Sequence, residues 1–240
     1  MDLWVLAGQS NMVGAAPMRK PGKATDHIML FNLDNNWIQA KEPLHRLFEA
    51  EAPIFKDLFL GKNVGATVEQ YDQYRQMSLK TPLGTVGPGL FFAKHLIKYI
   101  DNRIGLIPCA YGATSMQDWD PSLKDKGGHS LYGAMIQRIA LAHGNLKGVL
   151  WYQGESDAIP GENGYEKTFL HFVDCVRRDT GISDLPFIYV QISRYALDYS
   201  PPTGLGGGAR GSTTSSITRQ RHLHSERDRS SAGRPNPSFL

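Results

Sequence analysis

Hydrophobic positions in this chain fall into short runs that alternate with stretches of helical periodicity. The apolar runs predict strands over residues 3–7, 27–33, 103–108, 148–152 and 186–192. The first is closed by Gly8 and the second by the turn-forming Asp34, Asn35 and Asn36. Apolar residues at helical spacing predict helices over 89–100, 131–142 and 165–178, the first of them opened by Pro88. Between the second strand and the first helix, Pro43, Pro53, Pro82 and Pro88 punctuate residues 41–88, which read as long loops with short helices. Strands that are short, apolar on both faces and separated by helices predict an α/β fold, a parallel sheet covered by helices. Ligands collect at the carboxyl ends of such strands.

The pattern stops near residue 202. Residues 203–240 hold three consecutive glycines, many serines and threonines, six arginines and no lysine. They read as a disordered tail behind a single domain over 1–202. With two acids, the tail carries +4 of the net +3, which leaves about −1 on the body. A near-neutral body gives no reason to expect a nucleic-acid partner, and the clustered tail arginines lack interleaved aromatics. No apolar run approaches the roughly 20 residues of a spanning helix, so no membrane partner is expected either. Cys109 and Cys175 lie in apolar sequence and read as buried thiols rather than a disulfide. The chain as written has no secretory signal and would stay in the cytoplasm; a leader upstream of Met1 would direct it to secretion instead.

Three polar loops follow directly from strands. In Gly8-Gln9-Ser10-Asn11-Met12, Ser10 stands at a strand-to-helix turn, either as an exposed nucleophile beside backbone amides or as a plain helix N-cap. In the loop from Cys109 to Ser115, Gly112 lets its N–H approach a ligand unobstructed, or is an ordinary turn glycine. In Gln153-Gly154-Glu155-Ser156-Asp157, Gln153 has an N–H for a developing oxyanion, and Glu155 and Asp157 can orient donors or bind hydroxyls. Read blandly, that stretch is a solvated loop with a helix-capping Asp. Trp119 and Trp151 read as sugar-stacking surfaces or as core. No compact His/Asp/His set suggests a metal, and no Gly-x-Ser-x-Gly elbow suggests a lipase-type hydrolase.

Together, Gly8-Gln9-Ser10-Asn11-Met12, Gly112 and Gln153-Gly154-Glu155-Ser156-Asp157 resemble the first three sequence blocks of the SGNH hydrolases, and within them the sialate O-acetylesterase-like branch, carbohydrate esterase family six. The resemblance covers roughly residues 2–192. It implies a three-layer α/β/α sandwich with a central parallel sheet, and hydrolysis of acetyl esters on a carbohydrate without metal or other cofactor. It assigns Ser10 as nucleophile. The N–H groups of Ser10 and Gly112 and the side chain of Gln153 become oxyanion donors. Gln9, Asn11, Glu155 and Asp157 become supporting residues, Glu155 steadying its loop rather than completing a triad. It leaves the sugar and the oligomeric state unread.

The family completes its triad with an Asp-x-x-His motif near the C-terminus, and a serine hydroxyl needs such a base. No Asp in this chain is followed three residues later by His. Where the motif is expected lies the arginine-rich tail, whose His222 and His224 have no acid three residues before them. The abrupt change of composition reads as a C-terminal part truncated or replaced, by a splice or frame change near Pro202. The chain is then either an acetylesterase or an impaired carbohydrate-binding homologue. The resemblance also implies a final helix covering the sheet; without it the protein is expected to be marginally stable. A cooperative thermal transition with no dye-detected hydrophobic exposure would contradict that expectation.

Overall fold

A computed structural model describes residues 1–17, 26–158 and 164–192. The tail with His222 and His224, and the proposed junction near Pro202, lie outside the described residues. Six strands form one sheet among the described residues: β1 (Asp2–Gly8), β2 (Ile28–Phe31), β3 (Trp37–Gln39), β4 (Ile104–Pro108), β5 (Asn145–Tyr152) and β6 (Phe187–Tyr189). Their order is β3-β2-β4-β1-β5-β6, with β1 in the middle. Helices α1 (Ser10–Val13), α2 (Ile54–Lys62), α3 (Val68–Lys80), α4 (Gly89–Leu96), α5 (Leu131–Leu141) and α6 (Tyr165–Thr180) complete an α/β architecture.

The sheet's apolar character on both faces explains its two cores. Alternate residues of a strand point to opposite sides. Leu3, Val5 and Ala7 therefore join a cluster with Trp119, Tyr132, Met135, Trp151 and Phe172 under α5 and α6. Leu6 points the other way, into a cluster with Met12, Leu44, Leu90 and Ala93 under α4. Helix ends follow their local chemistry. Ser130 caps α5 by accepting from the Gly133 N–H, Thr67 and Gln70 form a reciprocal capping box on α3, and Gly181 ends α6 in the left-handed region. Cys109 and Cys175 are both buried free thiols.

Two elements differ from the pattern-based expectation. The sheet is mixed, because β3 turns back through the Asn32–Asn36 reversal and pairs antiparallel with β2; three residues are too few to show a period. Residues 41–88 hold two full helices, α2 and α3, of 9 and 13 residues. Their aromatic residues Phe48, Phe59, Tyr71 and Tyr74 pack on one another, with ring centroids 5.0–5.9 Å apart, apart from the main cores. A small local cluster leaves most of α3 polar, which hides its helical period.

The loop before these helices holds two titratable groups, Glu42 half-buried and His45 buried. Burial pushes the Glu42 carboxyl up to about 7, against the opposing pull of the Leu44 N–H and Lys94. Burial holds His45 down to about 3, so it is uncharged at neutral pH. The folded state binds the Glu42 proton more tightly than the unfolded chain, so this group's contribution falls as pH rises from about 4.5 to about 7. His45 has the opposite sign and weakens the fold as pH drops from about 6.5 toward 3. Glu42→Gln is expected to leave stability at pH 4.5 nearly unchanged. At pH 8 it should raise stability by about 1–2 kcal/mol, the shift discounted for partial exposure. Urea unfolding at the two pH values checks this, and an equal effect at both would refute it.

Candidate active site

Strand pairing determines where the first loop begins. β1 runs parallel to β5 as far as Gly8 opposite Tyr152, and the Gln9 N–H donates to the Tyr152 carbonyl. A Cβ on Gly8 would lie 2.2 Å from that carbonyl oxygen, and its φ is +131°, so only glycine passes here. The chain then turns into α1, a single turn. Its N-cap is Gln9 rather than Ser10, which is the first helical residue, and no side chain caps it. Ser10 is therefore not the capping serine that its sequence position also allowed. It is exposed, and its hydroxyl makes no hydrogen bond with the described residues.

The second loop is laid beside the first by the other neighbour of β1. The Cys109 N–H donates to Leu6 O and the Tyr111 N–H to Gly8 O. This brings Gly112 opposite Ser10, such that a Cβ on Gly112 would stand 3.8 Å from Ser10 Cβ. Neither the Ser10 nor the Gly112 N–H has a backbone acceptor among the described residues. Ala113 follows with φ +54°, and its carbonyl accepts from Lys62 Nζ at 2.9 Å. That ammonium also meets Asp118, whose carboxylate accepts from the Ser115 N–H and hydroxyl. The loop is thus pinned from α2, a contact between residues 51 positions apart that no local sequence signal announces.

The third loop clamps both others. Glu155 accepts from the Gln9 amide with one oxygen and from Asn11 Nδ2 with the other, while the Ser156 hydroxyl donates to Gln9 Oε1. Asp157 accepts from the Met116 N–H and from Gln153 Nε2, so it ties loop to loop and does not cap a helix; Gly164 stands at the start of α6. Gln153 is buried, and its two amide protons go to Asp157 and to Thr114 O. The expected donation from Gln153 to an oxyanion therefore meets an amide already engaged, since Gln has only two such protons. The Tyr165 hydroxyl donates to Gln153 O and accepts from Trp151 Nε1; burial foremost raises its pKa to about 12.

Trp119 and Trp151 pack edge to face with centroids 5.3 Å apart, at 0% and 1% exposure. They are core residues, and the sugar-stacking alternative falls with that burial. His27, His95, His129, His143 and His171 are exposed, His45 is buried, and none of these hydrogen-bonds Ser10. Among the described residues no group of three or more His, Cys, Asp or Glu could hold a metal, and no helix is long and apolar enough to cross a membrane.

Because both Glu155 oxygens accept from amides, Glu155→Gln sets an N–H₂ against another donor and frees the turn that carries Ser10. The expected loss is about 1–3 kcal/mol of stability, the cost of leaving such groups unpaired. Denaturant unfolding measures it, and an unchanged midpoint would show that Glu155 does not hold the turn.

Comparison with known proteins bears on the family and the fold. The chain is 29% identical over 215 residues to the "Probable carbohydrate esterase" of Arabidopsis thaliana, covering 80% of this chain and 69% of that one. It is 28% identical over 192 residues to the human sialate O-acetylesterase, covering 70% of this chain and about a third (34%) of that protein's length. An X-ray structure of an Arabidopsis thaliana protein superposes with a TM-score of 0.56 at 26% identity, over 78% of this chain and 72% of that one. The crystal structure of NanS superposes at 0.55 over 81% and 68%, and at 20% identity it speaks for the fold alone. The profile of the carbohydrate esterase, sialic acid-specific acetylesterase family matches residues 1–204, and the chain belongs to that family.

Proposed function

We propose that this chain binds an O-acetylated carbohydrate and cleaves its acetyl ester through Ser10. The observation that carries the reading is the face-to-face placement of Ser10 and Gly112, with both backbone N–H groups lacking an acceptor among the described residues. An ester carbonyl set over Ser10 has its oxygen between these two donors. Attack by Ser10 Oγ moves the carbonyl electron pair onto that oxygen, where the two N–H groups receive it. The tetrahedral species collapses as the sugar oxygen leaves with the proton that the Ser10 hydroxyl gave up, giving an acetyl-serine, which water hydrolyses to acetate and the free Ser10 hydroxyl. Gln153 serves chiefly by holding Thr114 O and Asp157. For it to donate to the oxyanion as well, it must release one of them.

A second reading is a binding homologue that keeps the pocket and turns over poorly. It is favoured by the lack of any hydrogen-bond partner for Ser10 Oγ among the described residues. Hydrolysis of 4-nitrophenyl acetate separates the two. The wild-type chain is expected to exceed Ser10→Ala clearly, and equal rates would reject catalysis by Ser10. Gly112→Ala meets no clash, since its Cβ has only ordinary contacts, yet it fills space beside the nucleophile. It should fold normally and lose about a hundredfold in rate, the scale of an ångström misplacement. Equal binding of an O-acetylated sugar by wild type and Ser10→Ala, with turnover by neither, would establish the second reading.

A further inference from the structure

We propose that Thr114 and Trp119 form a buried hydrogen-bond relay that orients and polarises the Tyr111–Gly112 peptide, which makes them positioning residues for the Gly112 N–H. The inference rests on the reading of Gly112 as an oxyanion donor. It adds two residues whose side chains touch no substrate.

The direction of each bond follows from what the groups can do. An indole N–H only donates, so at 3.2 Å from Thr114 Oγ1 Trp119 Nε1 gives its proton to that oxygen. The threonine hydroxyl must then point its own proton elsewhere. Two carbonyls are within reach: Tyr111 O at 2.9 Å and Gly8 O at 3.5 Å. The shorter contact takes the proton. Tyr111 O belongs to the same planar amide as the Gly112 N–H. A hydrogen bond at that oxygen fixes the plane in which the N–H points. It also draws electron density toward oxygen, leaving the N–H a stronger donor, by about 10–30% per bond in such chains.

Burial makes the relay matter. Thr114 and Trp119 are both at 0% exposure, so no bulk water can replace a lost hydroxyl. Trp119 is held in place by Trp151, at 5.3 Å between ring centroids, and by Phe172, at 6.2 Å. The far side of the loop is held as firmly. Gln153 grips Thr114 O, and Asp157 grips the Met116 N–H. Ala113, between Gly112 and Thr114, keeps a left-handed φ of +54°, which a non-glycine residue retains only where its surroundings enforce it. A loop fixed at both ends leaves the hydroxyl of Thr114 as the group that sets the tilt of the Tyr111–Gly112 peptide.

The test uses the full chain with Thr114→Val, Thr114→Ser and Trp119→Phe, read in two ways. In ¹⁵N-labelled protein the Gly112 amide proton should move upfield in Thr114→Val and stay near wild type in Thr114→Ser. With 4-nitrophenyl acetate, Thr114→Val should lose about tenfold in kcat with KM within about twofold, well short of the 10²–10³ lost with a whole oxyanion donor. Thr114→Ser should keep wild-type kcat. Trp119→Phe keeps the ring but not the donor, and should shift the Gly112 resonance in the same direction as Thr114→Val by less. An unshifted Gly112 proton in folded Thr114→Val overturns the relay, as does a Thr114→Ser variant as impaired as Thr114→Val. Should Thr114→Val not fold, Trp119→Phe decides by the same resonance. If Ser10→Ala shows the turnover to be independent of Ser10, the esterase reading fails, while the Gly112 resonance still decides for or against the relay.

Discussion

β1 lies between β4 and β5 and is paired with both, and the parallel register with β5 reaches the last residue of the strand, Gly8 opposite Tyr152. Everything at the site follows from this. Adjacent parallel strands lie about 4.8 Å apart, so chains leaving three neighbouring carboxyl ends at one level emerge within side-chain reach of each other. Gly8 is where this closeness is most severe, since any side chain there would strike the Tyr152 carbonyl. The turn it permits delivers Ser10 to the open top of the sheet, and the Tyr111 N–H on Gly8 O brings Gly112 to face it.

Proximity alone would leave three mobile loops, and the side-chain network converts it into geometry. Glu155 holds the first loop through Gln9 and Asn11, while Gln153 and Asp157 hold the second through Thr114 O and the Met116 N–H. Lys62 adds a contact from outside the sheet layers, on Ala113 O. The bonds of Glu155, Gln153 and Asp157 lie partly or wholly out of water, where each is worth more and each loss is felt more. The proposed donors at Ser10 and Gly112 are backbone groups, which no substitution of their own side chains can retune. Their direction is set by the residues around them, and that is the sense in which Glu155, Gln153, Asp157, Thr114 and Trp119 act together.

Much of the architecture was legible because strands and helices of the central layers carry strong periods. β1, β4, β5, α5 and α6 appear in the structure within a few residues of their expected positions. The three loops with candidate chemistry were legible for the same reason: each directly follows an apolar run. What escaped were elements whose stabilisation is not written in a period. β3 is three residues long and exists because β2 offers an edge. α3 is polar along most of its length and leans on a local aromatic cluster. Lys62 belongs to a segment whose pattern gave no reason to place it beside Gly112, and only the docking of α2 puts it there.

By itself the sequence determined the class of fold, since alternating short apolar strands and amphipathic helices have few other ways to bury both sheet faces. It also determined which residues could do chemistry, because the blocks around Ser10, Gly112 and Gln153 survive as local words independent of packing. The tertiary structure alone decided what those residues do to each other. Whether Gln153 has a free proton, whether Trp119 lies in the core or at a sugar, and whether Ser10 caps a helix depend on contacts between residues up to 147 positions apart. A hydrogen-bonding group has few protons to give, and the chain's own packing allots them.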